Sequence, residues 1–421
     1  MTKVVHLASS LSGGAGTATR RIHLALLDSG IDSRVITISG QEAATVPNVQ
    51  ACPWFTRPGW QRLGRRMGWW SSPKTRWQEN YQSLKKRTAP GEAGEIELFS
   101  APFSDLAPES HPWVAEADIV QLHWTAGLMD WSRWRQAPRK PLVVTLHDQE
   151  PYLGCVHYER DLERMPALRE MNQIARNLKA ETLQNERIAV AGNSEWNTKA
   201  ARSSGLFPES ASFSTIHYPL DVRSFAPRKS SDARAALGIS NDCFLVGFAC
   251  DKLDNPRKGL EVLFTALDLL PQDVKANTLL LSFGRDPDED IRASIPIPWV
   301  HVGALTSPVV QSAVYSAMDL ITIPSHAEAF GQIAIEALAC GTPAIATAVG
   351  GLPEALFDGD AGVLVQPDDP TALSNAISTL LENPSQRRDL GQVGCERVAS
   401  RHAPARVAAS YKSLYSQLTR N

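Results

Sequence analysis

The feature that most constrains this chain is a strand, turn and helix unit that recurs in both halves. Residues 4–8 form an apolar extended run, and Ser12-Gly-Gly-Ala-Gly-Thr17 reads as a turn. Residues 18–29 have helical spacing through Ile22, Leu26 and Leu27, closed by Gly30. A β-branched strand follows at 35–38. Two such strands joined by a helix must lie parallel, and a parallel sheet needs helices on its faces. Further strands are expected at 119–122, 142–145 and 188–191. The second half repeats the pattern, with strands at 244–249, 278–283, 299–302, 320–323 and 343–346 and helices at 260–270, 309–317 and 330–339. The expectation is an α/β chain with two doubly wound, Rossmann-like domains. Residues 219–240 read as the linker, and 371–381 and 401–418 as closing helices.

Composition agrees and removes several classes. At 421 residues and 43% hydrophobic, the chain is long enough for two cores of roughly 200 residues each. Lys+Arg 42 against Asp+Glu 45 leaves no positive field with which to collect nucleic acid. The six cysteines show no Cys-x-x-Cys spacing, so neither a disulfide framework nor a zinc site is signalled, and a reducing cytoplasm fits. No apolar run approaches the roughly 20 residues of a spanning helix, and that at the N-terminus is too short for a signal peptide.

Residues 51–90 depart from the average. Arg57, Arg62, Arg65, Arg66, Lys74, Arg76, Lys85, Lys86 and Arg87 stand against the single acid Glu79, interleaved with Trp54, Phe55, Trp60, Met67, Trp69, Trp70 and Trp77. Cations for headgroups and indoles for the polar boundary suit the inner face of an anionic membrane, touched peripherally. The other reading is a solvated basic face whose tryptophans pack inward.

The most informative run is Ile323-Pro-Ser-His-Ala-Glu-Ala-Phe-Gly-Gln-Ile-Ala-Ile-Glu-Ala-Leu-Ala-Cys-Gly-Thr-Pro-Ala-Ile-Ala346. A strand ends at Pro324, a loop carries Glu328, a helix is expected to start near Phe330, and Glu336 sits within it. A helix N-terminus offers unpaired N–H groups and a positive dipole end, so a pyrophosphate or sugar hydroxyl can approach Phe330 and Gly331. Glu328 and Glu336 carry the Glu-x7-Glu spacing ahead of a Cys-Gly-Thr-Pro turn. In this the run resembles the family 4 retaining glycosyltransferases of the GT-B fold. The resemblance implies that Glu328 contacts the donor sugar and that Glu336 accepts hydrogen bonds from the donor ribose.

Asp251-Lys-Leu-Asp-Asn-Pro-Arg-Lys-Gly259 lies between a strand and a helix, where the family holds the donor diphosphate with a basic pair. Lys258 matches its lysine. The family's Gly-Arg at the strand end is replaced by Gly247-Phe-Ala, which leaves Arg257 or Lys252 as the second cation. Gly13 and Gly14 match the Gly-Gly that lines the family's cleft, although the dinucleotide fingerprint fails at Thr19. His147 ends a strand in Val143-Val-Thr-Leu-His-Asp148 and resembles the family's strand-end histidine, assigned to the reaction centre. His123 has a similar position and reads as structural. Residues 148–158 resemble exopolysaccharide transferases of the colanic-acid type, without their cysteine-rich insert. Asp286-Pro-Asp288 could belong to a metal-dependent transferase, but it sits within a repeated second domain and reads as a solvated acidic loop.

The resemblance implies two domains facing across a cleft, 1–225 on the acceptor side and 226–400 holding the donor, with 401–421 packing back towards the first. It implies a retaining glycosyltransferase that moves a sugar from a nucleotide-diphosphate sugar to a glycan or lipid-linked acceptor in polysaccharide or cell-envelope synthesis. His147, Lys258 and Glu328 are its expected catalytic residues, and Gly13, Gly14, Arg257, Phe330, Gly331 and Glu336 its donor contacts. No cofactor or bound metal is expected. The alternatives are a non-hydrolysing sugar-nucleotide epimerase on the same fold, or a non-catalytic scaffold.

Overall fold

The computed structural model describes residues 2–67, 70–87, 96, 98–184 and 186–420. Contacts divide the chain into two units, the first made of Met1–Ile216 with Val407–Asn421 and the second of His217–Arg406.

In chain order the first unit contains β1 (Lys3–Leu7), α1 (Gly13–Asp28), β2 (Asp32–Thr37), β3 (Val49–Ala51), α2 (Gly59–Arg66), α3 (Pro73–Arg87), β4 (Ile119–Leu122), β5 (Leu142–Leu146), α4 (Arg169–Leu183), β6 (Ile188–Gly192), α5 (Glu195–Ser203) and β7 (Ser212–Thr215). The second contains α6 (Ser230–Ala236), β8 (Phe244–Lys252), α7 (Leu260–Asp268), β9 (Thr278–Arg285), β10 (Trp299–His301), α8 (Pro308–Ala317), β11 (Leu320–Ile323), α9 (Gln332–Ala339), β12 (Ala344–Thr347), β13 (Gly362–Val365), α10 (Pro370–Glu382) and α11 (Pro384–Arg401). Helix α12 (Pro404–Arg420) joins the first unit from Val407 onward.

Both sheets are parallel, ordered β3-β2-β1-β4-β5-β6-β7 and β10-β9-β8-β11-β12-β13. Helices on both faces bury the central strands completely. That is why β5 and β11 read Leu-Val-Val-Thr-Leu and Leu-Ile-Thr-Ile rather than alternating with polar residues. Strand order reverses between β1 and β4 in one unit and between β8 and β11 in the other. In open parallel sheets ligands bind beside such switch points, at the carboxyl ends of the strands.

Several local expectations change. Helix α1 begins at Gly13 with Ser12 as its N-cap, not at residue 18, so Gly13 and Gly14 belong to its first turn. Residues 230–236 of the expected linker fold into α6, where Arg234 bonds the carbonyls of Ala317 and Cys243 and pairs with Asp319. Gly331 is the N-cap of α9, in the left-handed region, so the helix opens at Gln332 and Phe330 precedes it.

The apolar side chains of the basic aromatic segment divide between buried and exposed positions. Trp77 is buried against Phe103, whereas Trp60 and Leu63 on α2 and Met67 at its C-cap are each more than half exposed, beside Arg62, Arg65 and Arg66. Trp69 and residues 88–90 lie outside the described residues. Among the described residues no helix is long and apolar enough to cross a membrane. The six cysteines are all free thiols.

Candidate functional site in each unit

In the second unit the switch point brings two loops together. The turn after β8 carries Arg257 and Lys258 in a short 3-10 segment, where the Asn255 side chain accepts the Arg257 N–H. The loop after β11 carries Glu328. Lys258 Nζ lies 2.5 Å from Glu328 Oε2 and Arg257 Nη1 3.3 Å from the same oxygen; Arg257 also donates to the Ala327 carbonyl at 2.8 Å. All three side chains are at most 18% exposed. Burial alone would raise the Glu328 pKa, but the Lys258 ammonium and the Arg257 guanidinium outweigh it and hold the carboxyl below its usual range. Lys252 pairs with Asp254 at 2.7 Å and is over half exposed, so Arg257 is the second cation at Glu328.

Bare backbone packing sets the path of the Glu328 loop. A Cβ built on Gly350, at φ +55°, would lie 1.9 Å from the Glu328 carbonyl oxygen, and one on Gly259 2.0 Å from that of Pro324. Phe330 is 2% exposed, its ring against His217, Tyr218 and His402. His402 Nδ1 bonds the Tyr218 carbonyl at 2.8 Å, and His217 pairs with Glu354 at 2.6 Å. The Phe330 side chain is committed to this cluster, so any donor contact there is made by its backbone. Glu336 is 7% exposed within α9 and accepts the Tyr315 hydroxyl at 2.9 Å. A buried carboxylate one helical turn or so inside a helix start is suited to a diol. Sequence reasoning missed Tyr315, whose position in α8 carries no motif.

Asp286 lies apart from this constellation, paired with His301 at 3.0 Å and Arg292 at 3.4 Å. Asp288 occupies the N-cap position of a short helix, Glu289–Ala293.

In the first unit the β1–α1 turn is pinned by Glu42, which accepts the Leu11 N–H at 3.0 Å and the Ser10 and Thr37 hydroxyls at 3.1 Å. Gly13 and Gly14, at the end of that turn, are exposed, and a Cβ on Gly13 would meet nothing within 4 Å. His147 follows β5 and is 9% exposed; its carbonyl accepts the Asn193 amide at 3.2 Å. Burial pushes its pKa down to about 4 against the opposing pull of Asp148, so the ring is neutral at pH 7. Asp148 is held by His157, whose Nδ1 lies 2.7 Å from its carboxylate and whose Nε2 bonds the Ser100 hydroxyl at 2.7 Å. His123 bonds His147 directly, Nδ1 to Nε2, at 2.9 Å.

Comparison with known proteins fits this geometry. The family model "Glycosyl transferases group 1" matches residues 252–397, the stretch containing Arg257, Lys258, Glu328 and Glu336. The chain is 29% identical to D-inositol 3-phosphate glycosyltransferase of Corynebacterium efficiens, over 72% of each chain. It is also 29% identical to the enzyme of that name from Xylanimonas cellulosilytica, over 81% of this chain and 80% of the relative. These relatives do not carry the colanic-acid-type name that residues 148–158 suggest. Among solved structures, sucrose-phosphate synthase from Thermosynechococcus elongatus superposes with a TM-score of 0.73 at 21% identity, covering 99% of both chains. Anabaena HepE, solved in complex with UDP-glucose, gives 0.68 at 18% identity, covering 99% of this chain and 100% of that one. Residues 252–397 therefore form a group 1 glycosyltransferase domain, and the chain is a glycosyltransferase of the GT-B fold.

Proposed function

We propose that the chain is a retaining transferase that takes its sugar from a nucleoside-diphosphate sugar held by Lys258, Arg257, Glu328, the backbone at Phe330 and Gly331, and Glu336. The observation that carries this reading is the placement of two cations on one buried carboxylate at the β8/β11 switch point. Breaking the glycosyl phosphate bond puts negative charge on the departing diphosphate, and a fixed cation there lowers the barrier more than it tightens ground-state binding. Glu328 holds Lys258 and Arg257 in place until the diphosphate arrives. The transfer needs no protein-bound metal in this scheme, and within the first unit the same reading assigns roles to His147 and the Gly13-Gly14 turn. The donor nucleoside to test first is uridine, because HepE was solved with UDP-glucose.

The acceptor in this reading is a hydroxyl of a glycan or lipid-linked glycan used in envelope synthesis. A second reading, a small phosphorylated polyol, is favoured by the name of the 29% identical relatives. Calorimetric titration with UDP, GDP and ADP and their sugars, with and without EDTA, tests the donor. Selective binding of one nucleotide, unchanged by EDTA, is expected; strict metal dependence or no binding overturns the reading. A rearranged sugar released without any acceptor would identify an epimerase instead.

Glu336→Ala is expected to weaken binding of the preferred nucleoside diphosphate about 10- to 100-fold, the scale of one or two hydrogen bonds to a charged group. Unchanged affinity in the same titration would remove Glu336 from the donor site. The Trp60, Leu63 and Met67 stripe flanked by Arg62, Arg65 and Arg66 supports peripheral contact with anionic lipid. Sedimentation with phosphatidylglycerol vesicles at low salt is expected to carry the protein down, and with Trp60→Ser/Leu63→Ser to leave most of it in solution. Equal recovery of the two proteins would reject the contact.

A further inference from the structure

Five side chains in the first unit form one continuous hydrogen-bonded line. The Pro47 carbonyl, just before β3, lies 2.9 Å from Nε2 of His23 on α1. His23 Nδ1 lies 2.7 Å from the hydroxyl of Ser33 on β2, and that hydroxyl 2.9 Å from Nε2 of His6 on β1. His6 Nδ1 meets His123 Nε2 at 2.9 Å, and His123 Nδ1 meets His147 Nε2 at 2.9 Å. Strand pairing produces the line. His6 is in register with Val35 and Gln121, and period-two alternation puts Ser33, His123 and His147 on that same face. His6, His23 and Ser33 are fully buried, and His123 is 3% exposed.

Burial favours the neutral form of all four rings, His147 included. Burial drives His6 and His123 well below the ordinary imidazole value, with the neighbouring rings adding to it, and lowers His23 despite its bond to Pro47. A neutral imidazole has one N–H and one bare nitrogen, and a serine hydroxyl has one proton to give. A carbonyl only accepts, so His23 Nε2 carries its hydrogen and His23 Nδ1 is bare. Ser33 must therefore donate to His23 and accept from His6 Nε2–H. The same count then passes along the line: His6 Nδ1 is bare and accepts from His123 Nε2–H, and His123 Nδ1 is bare and accepts from His147 Nε2–H. This count leaves His147 Nδ1 without a proton, so every hydrogen bond that this nitrogen makes is one it accepts.

We propose that this line sets the tautomer of His147, so that Ser33, His6, His23 and His123 are positioning residues that present a hydrogen-bond-accepting Nδ1 to a substrate hydroxyl. The proposal rests on the reading of His147 as a reaction-centre residue. It adds direction: a ring locked in this way selects a hydroxyl and refuses a carbonyl or carboxylate oxygen. The opposite tautomer would have to reverse every bond as far as Pro47, whose carbonyl has no proton to give.

Long-range proton–nitrogen NMR of the full-length protein labelled at histidine nitrogen reads each ring directly. His147 Nδ1 is expected to show as an unprotonated, pyridine-type nitrogen and Nε2 as the protonated one; the reverse assignment in the wild-type protein overturns the proposal without any variant. Ser33→Ala cuts the line at its middle. It is expected to give a mixture of His147 tautomers and to lower kcat roughly ten-fold, the usual scale for partners that orient a functional imidazole, with the donor KM unchanged. Ser33→Thr, which keeps the hydroxyl, is expected to restore both. A His147 ring in Ser33→Ala identical to that of the wild type overturns the positioning role. A changed tautomer with unchanged turnover leaves the line standing and overturns the assignment of His147 to the reaction.

Discussion

Lys258→Ala is expected to lower kcat for sugar transfer by about 10²- to 10³-fold, the effect of removing one fixed stabiliser of developing charge. The donor KM is expected to change less than about ten-fold, because the diphosphate carries its full extra charge only as the glycosyl bond breaks. Local consequences reinforce the loss. Glu328 keeps Arg257 at 3.3 Å but loses the partner at 2.5 Å, and burial then drives its carboxyl back up. Steady-state kinetics with the preferred donor checks this. A variant with intact kcat and a raised KM would make Lys258 a binding residue only.

Gly350→Ala is the second large effect, and it acts on shape rather than charge. Its φ of +55° and that of Gly13 at +70° are similar, so alanine meets a comparable left-handed penalty of about 1–2 kcal/mol at both. The surroundings differ. A Cβ at Gly13 meets nothing within 4 Å, whereas one at Gly350 lies 1.9 Å from the Glu328 carbonyl oxygen. Backbone cannot rotate away as a side chain can, so the loop carrying Glu328 must move. The expected result is a loss of at least about 3 kcal/mol for Gly350→Ala, together with loss of donor binding, against about 1 kcal/mol for Gly13→Ala. Urea unfolding of both variants checks the comparison; equal losses would show that the Glu328 loop yields freely.

The central strands were legible because they are buried on both faces and therefore written in Val, Ile and Leu. The edges were not. Strands β3 and β7 are Val-Gln-Ala and Ser-Phe-Ser-Thr, short and partly solvated, with no apolar run to mark them. Helix α11 was missed for a different reason. Its buried positions include Gly391 and Gly394, and a Cβ on the first would lie 2.1 Å from the Gly341 carbonyl oxygen. A helix that docks through bare backbone has no hydrophobic period to detect. At the site, the motif around Glu328 and Glu336 was visible because its spacing is local. The clamp on Glu328 and the histidine line were not, because each joins segments that only strand order makes neighbours. His123 read as structural in isolation; strand pairing makes it the direct partner of His147.

The first unit is discontinuous along the chain. Val407, Tyr411, Leu414 and Tyr415 of α12 are buried, and the Tyr415 hydroxyl bonds the Gln121 carboxamide on β4, which in turn donates to Thr145 on β5 at 2.7 Å. On the ribosome this has a temporal meaning. Residues 2–216 emerge first but lack the helix that covers these central strands, while 217–406 leave the tunnel as an unbroken stretch. The earlier stretch is thus completed only after the later one has been made, and the buried amide of Gln121 waits for another 294 residues before its tyrosine partner arrives.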